Sequence, residues 1–217
     1  MGSQGSDISD AYRAAPVAAN LKPGGRTWFV GAGGPMGRMH VQRAIEFSRP
    51  PASILCTDVS DMRLAELCEA FSDEARTKRI GFSCLNPLNK SEYEAGMAAF
   101  DKTGFDNIVV LAPIPAVIAD AATHLASGGV MNVFAGVARG TKVDLDLNDV
   151  FRKNTRIIGH SASLMSDFDL VLEKTNSGEL SPNRSVAAIG SLSAARDGIQ
   201  AVKDARAAVA TQTAPAR

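Results

Sequence analysis

The segment Thr27–Gly37, TWFVGAGGPMG, constrains the fold of this chain more than any other. A short apolar run, Trp28–Val30, stops at four glycines mixed with three other residues, and a helix-like segment, Arg38–Phe47, follows at once. Glycines let the chain turn sharply and let backbone N–H groups approach a pyrophosphate, and the start of a helix adds partial positive charge. The order of strand, glycine-rich turn and helix is the context that a dinucleotide-binding fingerprint requires.

The glycines fit this fingerprint in two registers. Starting from Gly31, the pattern places Met36 where the third glycine belongs. Starting from Ala32, it reads A-x-G-x-x-G, and we prefer this register because Pro35 then falls near the first helical turn, where its missing N–H costs nothing. The predicted pyrophosphate-binding turn comprises Gly31, Ala32, Gly33, Gly34, Pro35, Met36 and Gly37.

An acidic residue ends the second apolar run. Asp58 follows Ile54–Thr57 and lies 21 residues after Gly37. A carboxylate at this distance, at the end of the second strand, accepts hydrogen bonds from ribose hydroxyls and would repel the extra phosphate of NADP, so the sequence favours NAD over NADP. The alternative is that Asp58 only caps the helix that begins near Asp61. Arg63 would stack on the adenine or contact the ribose, or would be an exposed helix arginine.

The composition excludes several classes of function. The 217 residues are 45% hydrophobic and 21% charged with no net charge, which argues for a globular protein and against a nucleic-acid partner. No run approaches the roughly 18 apolar residues of a membrane span, and the N-terminus lacks the apolar segment of a secretory signal. The three cysteines, Cys56, Cys68 and Cys84, have no paired spacing, so we expect reduced thiols in a cytoplasmic protein. The cysteines and histidines show no zinc-ligand spacing.

Six short apolar runs alternate with helical patterns. The predicted strands are Trp28–Val30, Ser53–Thr57, Arg79–Leu85, Asn107–Ala112, Val130–Phe134 and Arg156–Ser161. This alternation predicts a doubly wound, six-stranded parallel sheet, a Rossmann fold with three α/β/α layers. Ligands bind such a sheet beyond the carboxyl ends of its strands. We therefore expect the glycine turn, Asp58, Ala112–Pro115, Phe134–Gly136 and Ser161–Ser163 on one rim.

The chain is expected to have three parts. Residues 1–20 form a flexible leader that contains a short helix, Asp7–Ala15, and residues 21–165 form the nucleotide-binding domain. Residues 166–217 form a helical extension with helices at Ser166–Gly178 and Ser193–Thr211 and a strand at Ser185–Ile189. Within the sheet domain we expect a helix over Ile114–Leu125 and an irregular segment over Val137–Asn154.

With these residues in place, the chain resembles the cofactor-binding half of a medium-chain, zinc-type alcohol dehydrogenase, and most closely the sorbose-1-phosphate reductase type. The ordered set of matching segments spans about Leu21–Val202. It consists of LKPGGRTWFVGAGGPMGRMH, ILCTDVSDMRLAEL, GFDNIVVLAPIPAVI, GGVMNVFAG, RIIGHSAS and SGELSPNRSVAAIGSLSAARDGIQAV. The A-G-G-P-M-G form of the turn matches this group better than it matches other Rossmann proteins.

The resemblance implies a role in NAD(H) binding for each rim residue. It assigns the pyrophosphate to Gly34, Pro35 and Met36, and the adenosine ribose to Asp58 and Arg63. The ends of the later strands are assigned to the nicotinamide and its amide: Ala112, Pro113, Ile114, Phe134, Ala135, Gly136 and Ser161. The family forms dimers by pairing the sixth strand with its copy, so the resemblance also implies a homodimer through about Arg156–Ser161.

The resemblance further implies that catalysis needs residues from elsewhere. Family members carry the catalytic zinc ligands and most substrate contacts in a domain N-terminal to this half, and that domain is not in this sequence. We therefore expect no catalytic or metal-binding residue here. Zinc-assisted hydride transfer between a secondary alcohol and NAD would need the absent domain or a separate catalytic chain. Two alternatives stay open: a non-enzymatic nucleotide-binding subunit or sensor, and an S-adenosylmethionine methyltransferase, which also uses a glycine-rich turn and an acid after the second strand.

Overall fold

The computed structural model describes residues 21–101, 103–159, 164–181, 186 and 189–203. The chain divides into two compact units at Leu180. The predicted helix Asp7–Ala15, most of the predicted strand Ser185–Ile189 and the end of the last predicted helix lie outside the described residues. The three-part division predicted from the sequence stays a prediction.

Six strands and seven α-helices make up the described chain. The strands are β1 (Arg26–Val30), β2 (Ser53–Thr57), β3 (Gly81–Leu85), β4 (Phe105–Val110), β5 (Leu125–Val133) and β6 (Arg156–Ile158). The helices of the first unit are α1 (Pro35–Glu46), α2 (Asp61–Thr77), α3 (Lys90–Asp101), α4 (Pro115–Thr123), α5 (Leu147–Lys153) and α6 (Met165–Asn176). In the second unit a 3₁₀ turn, Leu192–Ala194, precedes α7 (Ala195–Lys203).

The strands form one parallel sheet in the order β3-β2-β1-β4-β5-β6. The chain runs outward from β1 to the edge strand β3, then crosses back so that β4 pairs with the other side of β1. In sheets of this kind, ligands bind beyond the carboxyl ends of the strands at the point where the strand order reverses, here between β1 and β4. The predicted doubly wound Rossmann sheet is confirmed.

Apolar side chains cover both faces of the sheet. On one face, Phe29 of β1 belongs to a buried cluster with Val41 of α1 and Phe71 of α2. On the other face, Trp28 belongs to a cluster with Ile118 of α4 and residues of α3. Burying a large apolar side chain contributes about 1.5–3 kcal/mol. These two layers hold the strand ends, and therefore the rim, in fixed positions.

β5 is longer than the sequence predicts, and α4 is shorter. α4 ends at Thr123 and β5 begins at Leu125, whereas we expected the helix to continue to Leu125 and the strand to start at Val130. β5 contains Gly128, which has a φ of +73°, and the pairing with β4 shifts register nearby. Pairing with the buried neighbour β4 holds this irregular stretch in the sheet despite glycine's weak preference for strands.

The segment Val137–Asn154 contains a helix that the sequence analysis missed. Asp146 caps the start of α5 by accepting the Asn148 N–H at 2.8 Å, and the helix ends at Asn154, which has a left-handed φ of 52°. α5 has only seven residues, fewer than the window over which helical periodicity can be read. The capping residues Asp146 and Asn154 mark the two ends of α5. The alternating acidic and apolar residues before the helix led us to predict an irregular segment instead.

The prediction that all three cysteines are reduced is wrong. A disulfide joins Cys68 of α2 to Cys84 of β3, with the Cα atoms 6.7 Å apart, and only Cys56 is free. The two residues are 16 positions apart, and they meet because α2 packs on β3. No spacing rule connects such a pair. The cytoplasmic location that rested partly on reduced thiols stays a prediction.

Candidate functional site

The glycine turn follows β1 and contacts the ends of two other strands, β2 and β4. Gly31 has a φ of +81°, a conformation that favours glycine, and its N–H and that of Ala32 donate to the Thr57 carbonyl at 2.8 and 2.9 Å. A Cβ placed on Gly31 would lie 3.2 Å from the backbone nitrogen of Ala112. The turn after β1 therefore contacts the end of β2 and the residues after β4.

The local packing fits the register that starts at Ala32. Ala32 is fully buried, and a Cβ on Gly37 would overlap the Ala32 backbone, so α1 packs closely against the turn at this point. A Cβ on Gly34, by contrast, would meet nothing within 4 Å. The third position of the fingerprint needs close packing and the second needs open space for a ligand, and Gly37 and Gly34 have these properties.

The start of α1 has the properties of an anion-binding site. Gly34 is the N-cap residue and supplies no side-chain cap, and the first turn contains no acidic residue. The first N–H groups of a helix need partners, and the helix dipole favours a negative charge there. Pro35 occupies the first turn, where its lack of an N–H removes no helical hydrogen bond. A pyrophosphate fits this position.

Asp58 contacts the glycine turn directly. One carboxylate oxygen accepts the Gly33 N–H at 2.9 Å, and the other accepts the Ser60 N–H at 3.0 Å. The cap of α2 is Ser60, whose hydroxyl accepts the Arg63 N–H at 3.4 Å, so the alternative that Asp58 caps this helix is wrong. An ionised carboxylate has about four acceptor positions, and two of them are left for other donors such as ribose hydroxyls.

Arg63 completes the contact between the turn and α2. A Cβ on Gly33 would lie 2.7 Å from the Arg63 Cβ and 2.9 Å from the Asp58 Cγ. Only a residue without a side chain fits between these two. The structure therefore brings together the residues predicted for the pyrophosphate and for the adenosine ribose.

The residues after β4 and β5 lie at the same edge of the sheet. The Leu111 N–H donates to the Val30 carbonyl at 2.8 Å, which continues the pairing of β4 with β1 towards Ala112. The N–H groups of Phe134 and Ala135 both donate to the Val110 carbonyl, at 3.0 and 2.9 Å. Of the later rim residues, Pro113, Ile114 and Gly136 are exposed. Ser161 lies outside the described residues.

His40 connects α1 to the end of β5. Its ring packs edge-on against the Phe134 ring, with centroids 4.6 Å apart, and its Nδ1 lies 2.7 Å from the Met36 carbonyl oxygen. Burial lowers the pKa of His40, although the Met36 carbonyl acts in the opposite direction. At neutral pH the ring is therefore uncharged, and Nδ1–H donates to Met36.

Asn86 is a rim residue that sequence reasoning missed. It is buried directly after β3, and its Nδ2 donates to the Val59 carbonyl at 3.2 Å and to Asp61 Oδ1 at 2.7 Å. Its own Oδ1 accepts the Leu88 N–H at 2.9 Å. Asn86 thus fixes the loop that carries Asp58. The available signal was a polar residue at the end of a predicted strand, the same signal that identified Asp58.

Among the residues that the structure describes, no group of three or more His, Cys, Asp or Glu side chains is placed to hold a metal ion. A catalytic zinc therefore does not fit the part of the chain that the structure describes. In the same residues, no helix is both long enough and apolar enough to cross a membrane.

Two curated proteins resemble the chain in sequence, and no protein-family model matches it. The uncharacterized protein YggP of Escherichia coli K12 is 31% identical over 177 residues, which cover 80% of this chain and 42% of that protein. Mannitol-1-phosphate 5-dehydrogenase of Aliivibrio fischeri is 28% identical over 180 residues, 81% of this chain and 42% of the enzyme. The chain thus spans less than half the length of these two relatives.

Solved structures of dehydrogenases share the fold. Alcohol dehydrogenase TADH from Thermus sp. ATN1 superposes with a TM-score of 0.72 at 21% identity, covering 94% of this chain and 54% of that one. A short chain alcohol dehydrogenase from Escherichia coli CFT073, complexed with NADH, gives 0.66 at 18% identity over 86% of this chain and 52% of that one. A Sinorhizobium meliloti 1021 dehydrogenase bound to NADP gives 0.62 at 13% identity, over 88% and 53%. The superposed part covers about half of each of these dehydrogenases, and the Rossmann fold predicted for this chain is confirmed.

Proposed function

We propose that this chain, which has the fold of the cofactor-binding half of zinc-type medium-chain alcohol dehydrogenases, binds NAD(H) at the rim formed by the ends of β1, β2, β4 and β5. One observation carries the proposal: the Asp58 carboxylate is hydrogen-bonded to Gly33 in a glycine turn that leads into an uncapped helix. A ribose-binding acid and a pyrophosphate-binding turn are thereby adjacent, as a dinucleotide requires.

Each part of the rim has a distinct task. The first turn of α1 donates backbone N–H groups to the pyrophosphate, and Gly34 leaves space for it. Asp58 accepts the ribose hydroxyls and repels a 2′-phosphate, which supports NAD over NADP. When bound, the nicotinamide supplies the carbon that accepts or donates hydride. Its side of the site is assigned to the ends of the later strands: Ala112, Pro113, Ile114, Phe134, Ala135, Gly136 and Ser161.

We place the activity in the class of polyol or sugar-phosphate dehydrogenases. The support is the relative from Aliivibrio fischeri, which is a mannitol-1-phosphate 5-dehydrogenase, together with the resemblance to sorbose-1-phosphate reductases. The zinc ligands and most substrate contacts would come from sequence outside this chain, either the remaining half of a longer protein or a separate catalytic chain. A homodimer through β6 belongs to the same proposal, because β6 pairs only with β5 among the described strands and leaves an edge open.

Calorimetric titration tests the cofactor site. We expect NAD and NADH to bind with micromolar dissociation constants and NADP to bind more weakly. Asp58→Ala removes the ribose acceptor and should weaken NADH binding about tenfold, roughly 1.4 kcal/mol. Asp73→Ala is the matched control, because Asp73 lies on α2, the helix that follows Asp58, and its exposed carboxylate pairs with Arg76. Equal affinity of both variants for NADH, or no binding by the unmodified chain, would contradict the proposal.

Activity assays distinguish the cofactor-binding half of a dehydrogenase from the alternative, a non-enzymatic nucleotide-binding subunit or sensor. We expect no polyol oxidation by the purified chain alone. Oxidation above background without any added protein would overturn the assignment of catalysis to other sequence. Tight NADH binding with no oxidation after the catalytic half of a relative is added would favour the sensor.

A further inference from the structure

We propose that Cys68 and Cys84 form a reversible thiol–disulfide site that controls NAD(H) binding at the neighbouring rim. The co-reactant is a small disulfide of low molecular weight. The regulatory part of this inference rests on the proposed function, whereas the redox site itself rests on the three cysteines and on the packing of α2 against β3.

The two cysteines join a helix to the edge of the sheet. Cys68 is the eighth residue of α2 and Cys84 is the next-to-last residue of β3, which among the described strands pairs with β2 alone. Their Cα atoms are 6.7 Å apart, within the range that a disulfide spans. Both side chains are half-buried, so neither cysteine is sealed in the core as Cys56 is.

The third cysteine does not compete for this exchange. Cys56 of β2 is the register neighbour of Cys84, but it is fully buried. Burial raises the pKa of the Cys56 thiol far above its ordinary value, so the thiol stays protonated. Because the thiolate is the nucleophile in disulfide exchange, Cys68 and Cys84 exchange with each other and with a small disulfide, and Cys56 does not.

A short path connects the disulfide to Asp58. Two residues after Cys84, Asn86 donates to the Val59 carbonyl and to the Asp61 carboxylate, at 3.2 and 2.7 Å. Val59 belongs to the loop in which Asp58 accepts the Ser60 N–H at 3.0 Å, and Asp61 is the first residue of α2. α2 and β3 are thus joined by apolar packing, by the disulfide and by the hydrogen bonds of Asn86, which directly follows β3. Reduction removes the covalent link among these and leaves the position of the loop to hydrogen bonds and packing.

The exchange balances without any further cofactor. In the oxidising direction the Cys68 and Cys84 thiols react with one small disulfide, one S–S bond forms in the protein, and two molecules of the small thiol leave with the two protons. The protein loses two electrons and the small disulfide gains them. Excess small thiol reverses the reaction by the same steps.

The experiment compares the full chain equilibrated with oxidised or with reduced glutathione. Intact mass and thiol counting report the state of the pair. Hydrogen exchange at the amides of Ser60 and Arg63 reports the loop, and calorimetry reports NADH affinity. We expect slower exchange and about fivefold tighter NADH binding in the oxidised state, a typical size for coupled sites. Cys68→Ser and Cys84→Ser should each abolish both differences, and Cys56→Ala, the matched control, should keep them.

The possible outcomes are distinguishable. Failure of oxidised glutathione to form the bond would overturn the redox site. Bond formation with unchanged exchange at Ser60 and Arg63 would overturn its control of the rim, whether or not NADH binds. If exchange changes but NADH binds in neither state, the proposed function fails and the redox coupling to the loop stands. The comparison of oxidised and reduced unmodified chain needs no variant, so it holds even if a serine variant folds poorly.

Discussion

At the scale of single residues, the site depends on Gly33, whose neighbours leave no room for a side chain. Gly33 lies between Asp58 and Arg63, and an added Cβ would come within 2.7 Å of the Arg63 Cβ and 2.9 Å of the Asp58 Cγ. Gly33→Ala should displace the carboxylate and weaken NADH binding about tenfold, roughly 1.4 kcal/mol. Gly198→Ala, whose Cβ would meet nothing within 4 Å, is the control for calorimetry. Undiminished affinity in Gly33→Ala would show that the Asp58 position does not determine binding.

A second residue-scale prediction concerns the opposite end of the sheet. Burial alone would raise the pKa of Asp106, but hydrogen bonds from Lys22 Nζ and the Arg26 N–H, together with the charges of both side chains, hold it below its ordinary value of 3.8. A carboxyl group with a lowered folded-state pKa stabilises the fold above its unfolded pKa and loses that contribution as the pH falls through the folded value. Asp106→Asn should therefore cost about 1–2 kcal/mol at pH 7.

The pH dependence gives this prediction a separate check. Urea unfolding followed by the fluorescence of the buried Trp28 should show the difference between Asp106→Asn and the unmodified chain shrinking below pH 3.8. Asp73→Asn, at an exposed pair on α2, should change neither curve measurably. A constant difference from pH 7 to pH 3 would mean that ionisation of Asp106 contributes nothing to stability.

The role of a residue could be predicted from the sequence where a known chemical use goes with a fixed position in the chain. Asp58 could be identified because an acid at the end of the second strand has a known use and lies at a fixed distance from the glycines. Asn86 was not predicted because its importance comes from Val59, in the loop after β2, and from Asp61, the first residue of α2. The Cys68–Cys84 disulfide was not predicted for the same reason, since only the packing of α2 on β3 brings the two sulfurs together.

At the scale of elements, the contact of α1 with the turn after β1 makes a testable distinction between two glycines. A Cβ on Gly37 would overlap the Ala32 backbone, which cannot yield as a flexible side chain would. Gly37→Ala should therefore destabilise the fold by about 1–3 kcal/mol. Gly34→Ala should change stability by less than about 0.5 kcal/mol, because its Cβ would meet nothing within 4 Å, but should weaken NADH binding.

Thermal and urea unfolding measure the loss of stability in Gly37→Ala, and calorimetry measures the NADH affinity of Gly34→Ala. Similar stability losses in the two variants would contradict the register that starts at Ala32. Normal NADH affinity in Gly34→Ala would contradict the assignment of the pyrophosphate to this turn.

Elements with a strong apolar signal were predictable, and those shaped by neighbours were not. β4 is buried at every position, and its uncharged apolar run from Ile108 onwards identified it. β5 extends back to Leu125 only because β4 pairs with it there, and the glycines inside it read as a turn. α5 is short and depends on the caps at Asp146 and Asn154. Local sequence carries little information about such tertiary effects.

At the scale of the whole molecule, the open edge of β6 predicts self-association. β6 pairs with β5 on one side, and the described chain supplies no strand for the other side. Two copies that pair through this edge would satisfy its backbone groups across a two-fold axis. Light scattering after gel filtration should give twice the chain mass of 22.7 kDa. A mass that stays at a single chain over the whole concentration range would contradict the dimer.

The central claim is that one rim of the sheet binds NAD(H), and amide NMR tests it most directly. In a titration of ¹⁵N-labelled chain with NADH, we predict the largest shifts at the amides of Gly33, Gly34, Met36, Ser60 and Ala112. These amides belong to the turn, the loop of Asp58 and the end of β4, and no single element contains them all. Shifts confined to other parts of the chain, or no shifts at millimolar NADH, would contradict the account.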